Sequence, residues 1–323
     1  MEHGFLYQIA KQYVGHYEAK IKDLCFVFPS RRSALFFRKY LGQNSEAPIF
    51  SPRIMTINEI LVELSDLRKI DKIEEIYLLY QNYVKVSGTD ESFDSFAAWG
   101  DVILADFNDV DKYRVDASRL FANIRDLREL DSGYEFLSEE QRRVISDFWG
   151  IVLNQKPDRN KERFCAMWQI LEKLYVEFRK DLKGRGMGYE GMIYREVADA
   201  LLGEGRAAII GRLSQHEKIV FVGQNALRQC EKVLLDAVRD ELGGDFYWDF
   251  YGDMIRDRAN KSSNFIKDYI VRYPSQFKID VEVDTMPEIT VISVPSAVGQ
   301  AKQVARCLEG LDENTTSVVL PDD

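Results

Sequence analysis

The sequence predicts an α/β fold: a parallel sheet interrupted by a large all-helical insertion, with the beginning of a second α/β domain near the end of the chain. Two stretches carry this expectation. Residues 24–41, LCFVFPSRRSALFFRKYL, run five apolar residues into Pro29, a Ser-Arg-Arg triplet and a helical spacing of Leu35, Phe36, Tyr40 and Leu41. Residues 218–235, KIVFVGQNALRQCEKVLL, repeat the design with a buried run, Gly223, and apolar Leu227, Cys230, Leu234 and Leu235. A short unbroken apolar run, stopped by Pro or Gly and followed by helical spacing, reads as a buried parallel strand turning into a helix. The long separation of the two units points to one sheet with an insertion.

In chain order, residues 5–17 space Leu6, Ile9, Ala10, Tyr13, Val14 and Tyr17 as a helix leading into the first strand. Ser30 is the expected N-cap of the next helix, because its hydroxyl can accept from an orphan first-turn amide. After a turn-rich connector at residues 48–52, residues 54–67 are expected to be helical, with Thr56 and Glu59 at capping-box spacing. From about residue 71 to 199 long helical patterns rich in aromatics predominate, including residues 73–86, 93–107, 117–126, 138–153 and 161–182, and strand signals are missing. A helix at 197–202 and a glycine turn return the chain to the sheet. A strand within 244–250, a helix at 262–273, a strand at 288–294, a helix at 298–311 and a last strand at 317–320 complete the expectation. The domain plan is then residues 1–65 with 200–286 as an α/β domain, 66–199 as the insertion, and 287–323 as the start of a further α/β domain. A strand so near the end, where a new βαβ unit opens, suggests a piece of a longer polypeptide.

Bulk properties narrow the function. The chain has 323 residues, too many for one ordinary core, and an apolar fraction typical of globular proteins. A net charge of -10 argues against an all-over nucleic-acid coat and leaves room for a local basic path. Residues 1–54 hold eight basic against four acidic side chains, so the acidity lies elsewhere. Cys25, Cys165, Cys230 and Cys307 are widely spaced, and three of them sit in apolar runs, so they are expected to be small buried hydrophobes in a reducing compartment. No CxxC occurs, and His3, His16 and His216 lack partners at ligand spacing, which argues against zinc or iron–sulfur. With neither a leader pattern nor a membrane-length apolar run, a cytoplasmic location is expected.

Arg31 and Arg32 fall at the start of a helix, where sheet ends of this class bind ligands and where first-turn amides favour anions. They are phosphate-binding candidates; the alternative is that they only solvate the helix start. Two other patterns have plainer explanations. Asp101, Asp106, Asp109 and Asp111 lack the loop glycine and bidentate Glu of a calcium site. Residues 186–191, GMGYEG, match GxGxxG but follow a polar helix rather than a strand.

Taken together, Phe-Pro-Ser-Arg-Arg at 28–32, Met-Thr-Ile-Asn-Glu-Ile at 55–60, Leu-Ala-Asp-Phe-Asn-Asp-Val-Asp-Lys-Tyr at 104–113, Tyr-Glu-Gly-Met-Ile-Tyr-Arg at 189–195 and Phe-Val-Gly-Gln-Asn-Ala-Leu at 221–227 resemble the N-terminal part of AddB-type proteins. These are helicase-like subunits of bacterial AddAB double-strand-break repair nucleases, of the PD-(D/E)XK nuclease family. The resemblance spans essentially the whole chain. It implies a RecA-like domain with a helical insertion, a second RecA-like domain from near Pro287, and an AddA-type helicase-nuclease subunit as partner. It also implies that Pro29, Ser30, Arg31 and Arg32 touch a DNA strand's backbone, with Thr56 in the next such motif. Residues 288–308 resemble the motif opening the second domain, with Gln300 where the family often has Glu. Two departures bear on catalysis: no GxxxxGK[ST] loop precedes the first helix, and Val222 stands where a Mg²⁺-binding carboxylate is expected. The expectation is therefore a DNA-binding segment without ATPase activity or cofactor, any nuclease domain lying beyond Asp323. The alternative is a scaffold that docks the motor subunit without touching DNA.

Overall fold

The computed structural model describes residues 4–121, 159–250, 252–256, 264–279, 288–313 and 315–320. The chain divides into two compact units, residues 1–281 and 282–323. The first is mixed α/β around a four-stranded parallel sheet. Strand β1 (Leu24–Phe28) lies between β2 (Arg53–Thr56) and β5 (Lys218–Val222), and β6 (Asp245–Tyr247) pairs with the far side of β5. All five residues of β1 are buried. Successive side chains of a strand point to opposite faces. Leu24, Phe26 and Phe28 therefore join Ile9 and Tyr13 of α1 (Phe5–Tyr17) and Phe37 and Leu41 of α2 (Arg31–Asn44), while Cys25 and Val27 join the core on the other side. Covered on both faces, the strand needs apolar residues throughout, which is why it reads as an unbroken run.

Strand β2 corrects the sequence reading. Residues 54–67 were expected to be helical, yet residues 53–56 pair with β1 and the helix α3 (Ile57–Leu64) begins only at residue 57. A short apolar run carries no period of its own, and the neighbouring strand decides its state. After β5, Gly223 takes a left-handed conformation at φ +66°, and residues 224–228 form a loop before α9 (Gln229–Leu242). Helix α1 is fastened to β6 through Asp245, which is buried at 2% exposure. Its carboxylate accepts from the hydroxyls of Tyr13 and Tyr247 and from the amides of Phe246 (3.1 Å) and Gln276 (2.6 Å). Burial, reinforced by Asp245's charge, pushes both phenols far above their ordinary range, so they remain donors.

The helical block consists, among the described residues, of α4 (Lys72–Ser87), α5 (Phe93–Lys112) and α6 (Arg159–Gly184). Their shared core includes Leu79, Tyr83, Phe96, Phe107, Leu174 and Phe178. The sequence gives no strand signal here, but Arg68–Lys69 (β3) and Met187–Gly188 (β4) form a two-residue parallel pair, too short to show a period. Residues 117–121 are helical; the remainder of that expected helix and the one at 138–153 lie outside the described residues. Helix α7 (Glu190–Leu202) serves both cores: Met192 and Ile193 pack into the helical block, Tyr194, Val197, Ala198 and Leu201 into the sheet side. The GMGYEG string is explained by this packing. Gly186 turns at φ +68°, and a Cβ on Gly191 would sit 2.5 Å from the Asn108 carbonyl where α7 crosses α5.

Asp111 is the polar centre of the block. Fully buried, it accepts from the hydroxyls of Tyr175 and Tyr189 and from the guanidiniums of Arg179 and Arg195. No group of three or more His, Cys, Asp or Glu suited to a metal is found among the described residues. Nor is any described helix long and apolar enough to cross a membrane.

In the second unit, Ser296 caps α12 (Ala297–Leu308), accepting from Gly299 N–H at 3.1 Å. The strands expected at 288–294 and 317–320 are absent: neither stretch has a ladder partner among the described residues, and Ile289, Val291, Val319 and Leu320 are exposed. An apolar, β-branched stretch makes a strand only where another strand completes its hydrogen bonds.

Glu190, the first residue of α7, gathers Lys69 (2.9 Å), Lys112 (2.6 Å) and the Asn58 amide (2.9 Å). Burial raises its pKa, but hydrogen bonds and charge from the two lysines prevail and hold it down to about 2. A carboxyl depressed on folding contributes stability that is complete above its unfolded value and is lost as pH falls through the folded value. Between about pH 4.5 and pH 2, Glu190→Gln should therefore flatten the fall in urea midpoint relative to the native chain; parallel acid limbs would show that the cluster does not couple to folding.

Candidate nucleic-acid interface

Strands β1 and β2 run parallel and in register, with Phe28 beside Thr56, so both release the chain at the same edge of the sheet. Each then starts a helix within a few residues, and the first turns of α2 and α3 come together. Ser30 accepts from the Ser33 amide at 3.2 Å, as expected of its position. Thr56 accepts from the Glu59 amide at 3.2 Å while the Glu59 carboxylate accepts from the Thr56 amide at 2.8 Å, a complete capping box. The remaining first-turn amides of both helices have no intrahelical acceptor and carry the positive end of the helix dipole.

Among the candidates, the structure joins Arg31 to Thr56 through Glu59. Arg31 donates to Glu59 from Nε (3.0 Å) and Nη2 (2.9 Å). The Thr56 amide first, and Arg31 with it, holds the Glu59 carboxyl below its usual range. Thr56 is buried and its hydroxyl is committed to the cap, so its place here is to orient Glu59. Arg31 is 86% exposed. Exposed ion pairs of this kind contribute about 0.2–1 kcal/mol, so Glu59 holds Arg31 only weakly. Arg32 is exposed and has no ion pair among the described residues.

The two sides of this corner differ in charge. Toward α3 lies an open cleft of about 590 Å³ lined by Arg31, Arg53, Asn58, Glu59, Glu63 and Lys69, where Arg53 pairs with Glu63 and Lys69 with Glu190. Its cations are matched by carboxylates. Toward solvent lies the outer face of α2, whose sequence RRSALFFRKYLGQN holds four basic residues and no acidic one. Arg31, Arg32, Arg38 and Lys39 are all exposed, as are Leu35 (63%) and Phe36 (42%). Phe37 and Leu41 on the opposite side anchor the helix to the sheet. Leu35 and Phe36, which the sequence reading counts in the apolar spacing of the helix, lie on the exposed side, and Arg38 and Lys39 beside them are not singled out by that reading, although the run without a carboxylate was there to be seen.

The second strand-turn-helix unit contributes a brace. Gln224, 6% exposed, donates from its side-chain amide to the Val27 carbonyl at 3.1 Å and so ties the loop after β5 to the end of β1. No carboxylate lies in the connecting residues 223–228.

Loss of the Thr56 hydroxyl removes an N-cap and loosens the residue that holds Arg31. Thr56→Ala should lower the unfolding free energy by about 1 kcal/mol in urea titration. An unchanged midpoint would show that the capping box does not hold this corner. In comparisons with known proteins, no family model and no curated protein matches the chain.

Proposed function

We propose that this chain is a non-catalytic, helicase-like segment of an AddB-type subunit that binds DNA through its phosphate backbone in double-strand-break repair and recombination. On this reading the four-stranded parallel sheet belongs to a RecA-like domain that has no phosphate loop, and α12 opens a second such domain. The observation that carries the proposal is the outer face of α2: an exposed, carboxylate-free basic surface at a helix N-terminus in a chain of net charge -10. First-turn amides and arginines side by side suit phosphate oxygens of any sequence. The connection from β1 to α2 is only Pro29-Ser30, too short to cradle a triphosphate, and the β5 connection supplies no carboxylate for Mg²⁺. These features support a surface that holds a strand without turning over ATP.

The AddA-type motor subunit is the partner this reading assigns to the helical block. Ile73 and Tyr77, one turn apart on α4, are 78% and 47% exposed and offer an apolar docking point.

Affinity for single-stranded oligonucleotides should be independent of sequence and fall with salt, the slope of log K against log[salt] being about −0.7 per phosphate neutralised. Arg31→Ala with Arg32→Ala should make the slope shallower by about 1.4. Glu59→Gln, which keeps the capping hydrogen bond but removes Arg31's counter-charge, should tighten binding. Equal slopes for native and double-variant proteins, measured by fluorescence anisotropy, would remove these arginines from the interface.

A further inference from the structure

Phosphate contacts alone do not account for the apolar part of the α2 surface. Phe36 is 42% exposed on α2, whereas its neighbour Phe37, which anchors the helix to the sheet, is wholly buried. Residues three and four apart on a helix are surface neighbours, so Phe36 sits beside Arg32 on one side and Lys39 on the other. Its ring also meets Tyr40 at 6.4 Å, and Tyr40 in turn packs edge-on against Tyr7 of α1 at 5.7 Å. The exposed ring is thus backed by a second and a third ring and flanked by cations that have no ion pair among the described residues.

A hydrophobic partner helix would gain little from a patch hemmed in by Arg31, Arg32, Arg38 and Lys39, whose charges it would have to desolvate. A single nucleic-acid strand suits both its cations and its ring: phosphates for the cations, and the flat face of an unstacked base for the ring. We propose that Phe36 is a base-stacking residue, which makes this surface select single-stranded over duplex DNA. In a duplex the base faces are already stacked on one another and are closed to the ring. Stacking on an aromatic side chain tolerates any base, since each has a π face, and it adds affinity that salt does not screen. This inference rests on the DNA-binding reading above but concerns a different chemical group of the ligand, the base rather than the phosphate.

The test uses the full chain, with a thymidine oligonucleotide, an abasic deoxyribose-phosphate oligomer of the same length, and the corresponding duplex as probes. Phe36 is exposed, so Phe36→Ala leaves the fold intact, which the urea midpoint verifies. Phe36→Ala should weaken binding of the thymidine strand by about 5- to 150-fold, leave abasic and duplex binding unchanged, and keep the salt slope of the native chain. Phe36→Trp should restore the affinity for the thymidine strand. Equal binding of the thymidine strand by native and Phe36→Ala proteins, with the slope still responsive to Arg31→Ala and Arg32→Ala, would overturn the stacking role and leave the phosphate interface standing. If the native chain binds none of the three probes, both readings fall.

Discussion

The parallel pairing of β1 with β2 on one side and β5 on the other governs everything at the candidate interface. Because β1 and β2 run in the same direction with Phe28 level with Thr56, the helices that follow must start side by side. Two helix N-termini close together concentrate unbonded amides and dipole charge at one edge. Glu59 offsets part of that charge, caps Thr56 and holds Arg31, which leaves the net basic surface on the outer side of α2. The sheet also fixes which side of α2 is outward: Phe37 and Leu41 have to meet Phe26 and Phe28, and the rest follows from 3.6 residues per turn.

Around this corner the first unit is held together by buried carboxylates that have complete sets of partners. Asp245 is satisfied by two phenols and two amides, without a cation, and joins the first helix to the last strand of the sheet. Asp111 is satisfied by two phenols and two guanidiniums, and its main-chain carbonyl accepts from Cys230 Sγ of α9 at 3.3 Å, so the helical block and the sheet-side helix meet at one residue. A buried network of this kind is favourable only when every member has its partners, and it then specifies one arrangement of the elements it joins. The helical block is consequently fixed to the sheet unit through α7 and α9 rather than merely tethered by chain connections. Glu190, at the start of α7, extends the same brace toward α3 through Asn58 and Lys69.

What was legible in the sequence was local. The β1-Pro-Ser-helix unit could be read because a strand buried on both faces is apolar at every position, and because Ser30 and Thr56 act within three residues of themselves. Strand β2 could not, since four residues hold too little period to compete with the strong helical pattern that follows. The stretches at 288–294 and 317–320 failed for the opposite reason: they are rich in β-branched apolar residues, but pairing depends on a neighbour that the pattern itself does not supply. The Arg31–Glu59 contact spans 28 positions and follows only from the strand register. Likewise, the lack of carboxylates in residues 31–44 becomes a surface property only when the packing of Phe37 shows which way the helix faces.

The central claim is that a single strand of DNA lies on the outer face of α2. Photochemical cross-linking of a 5-bromouracil-containing oligonucleotide to the full chain, followed by mass spectrometry of the digested complex, tests this directly. The account predicts adducts within residues 31–44. Adducts confined to residues 68–213, with 31–44 unmodified, would contradict it.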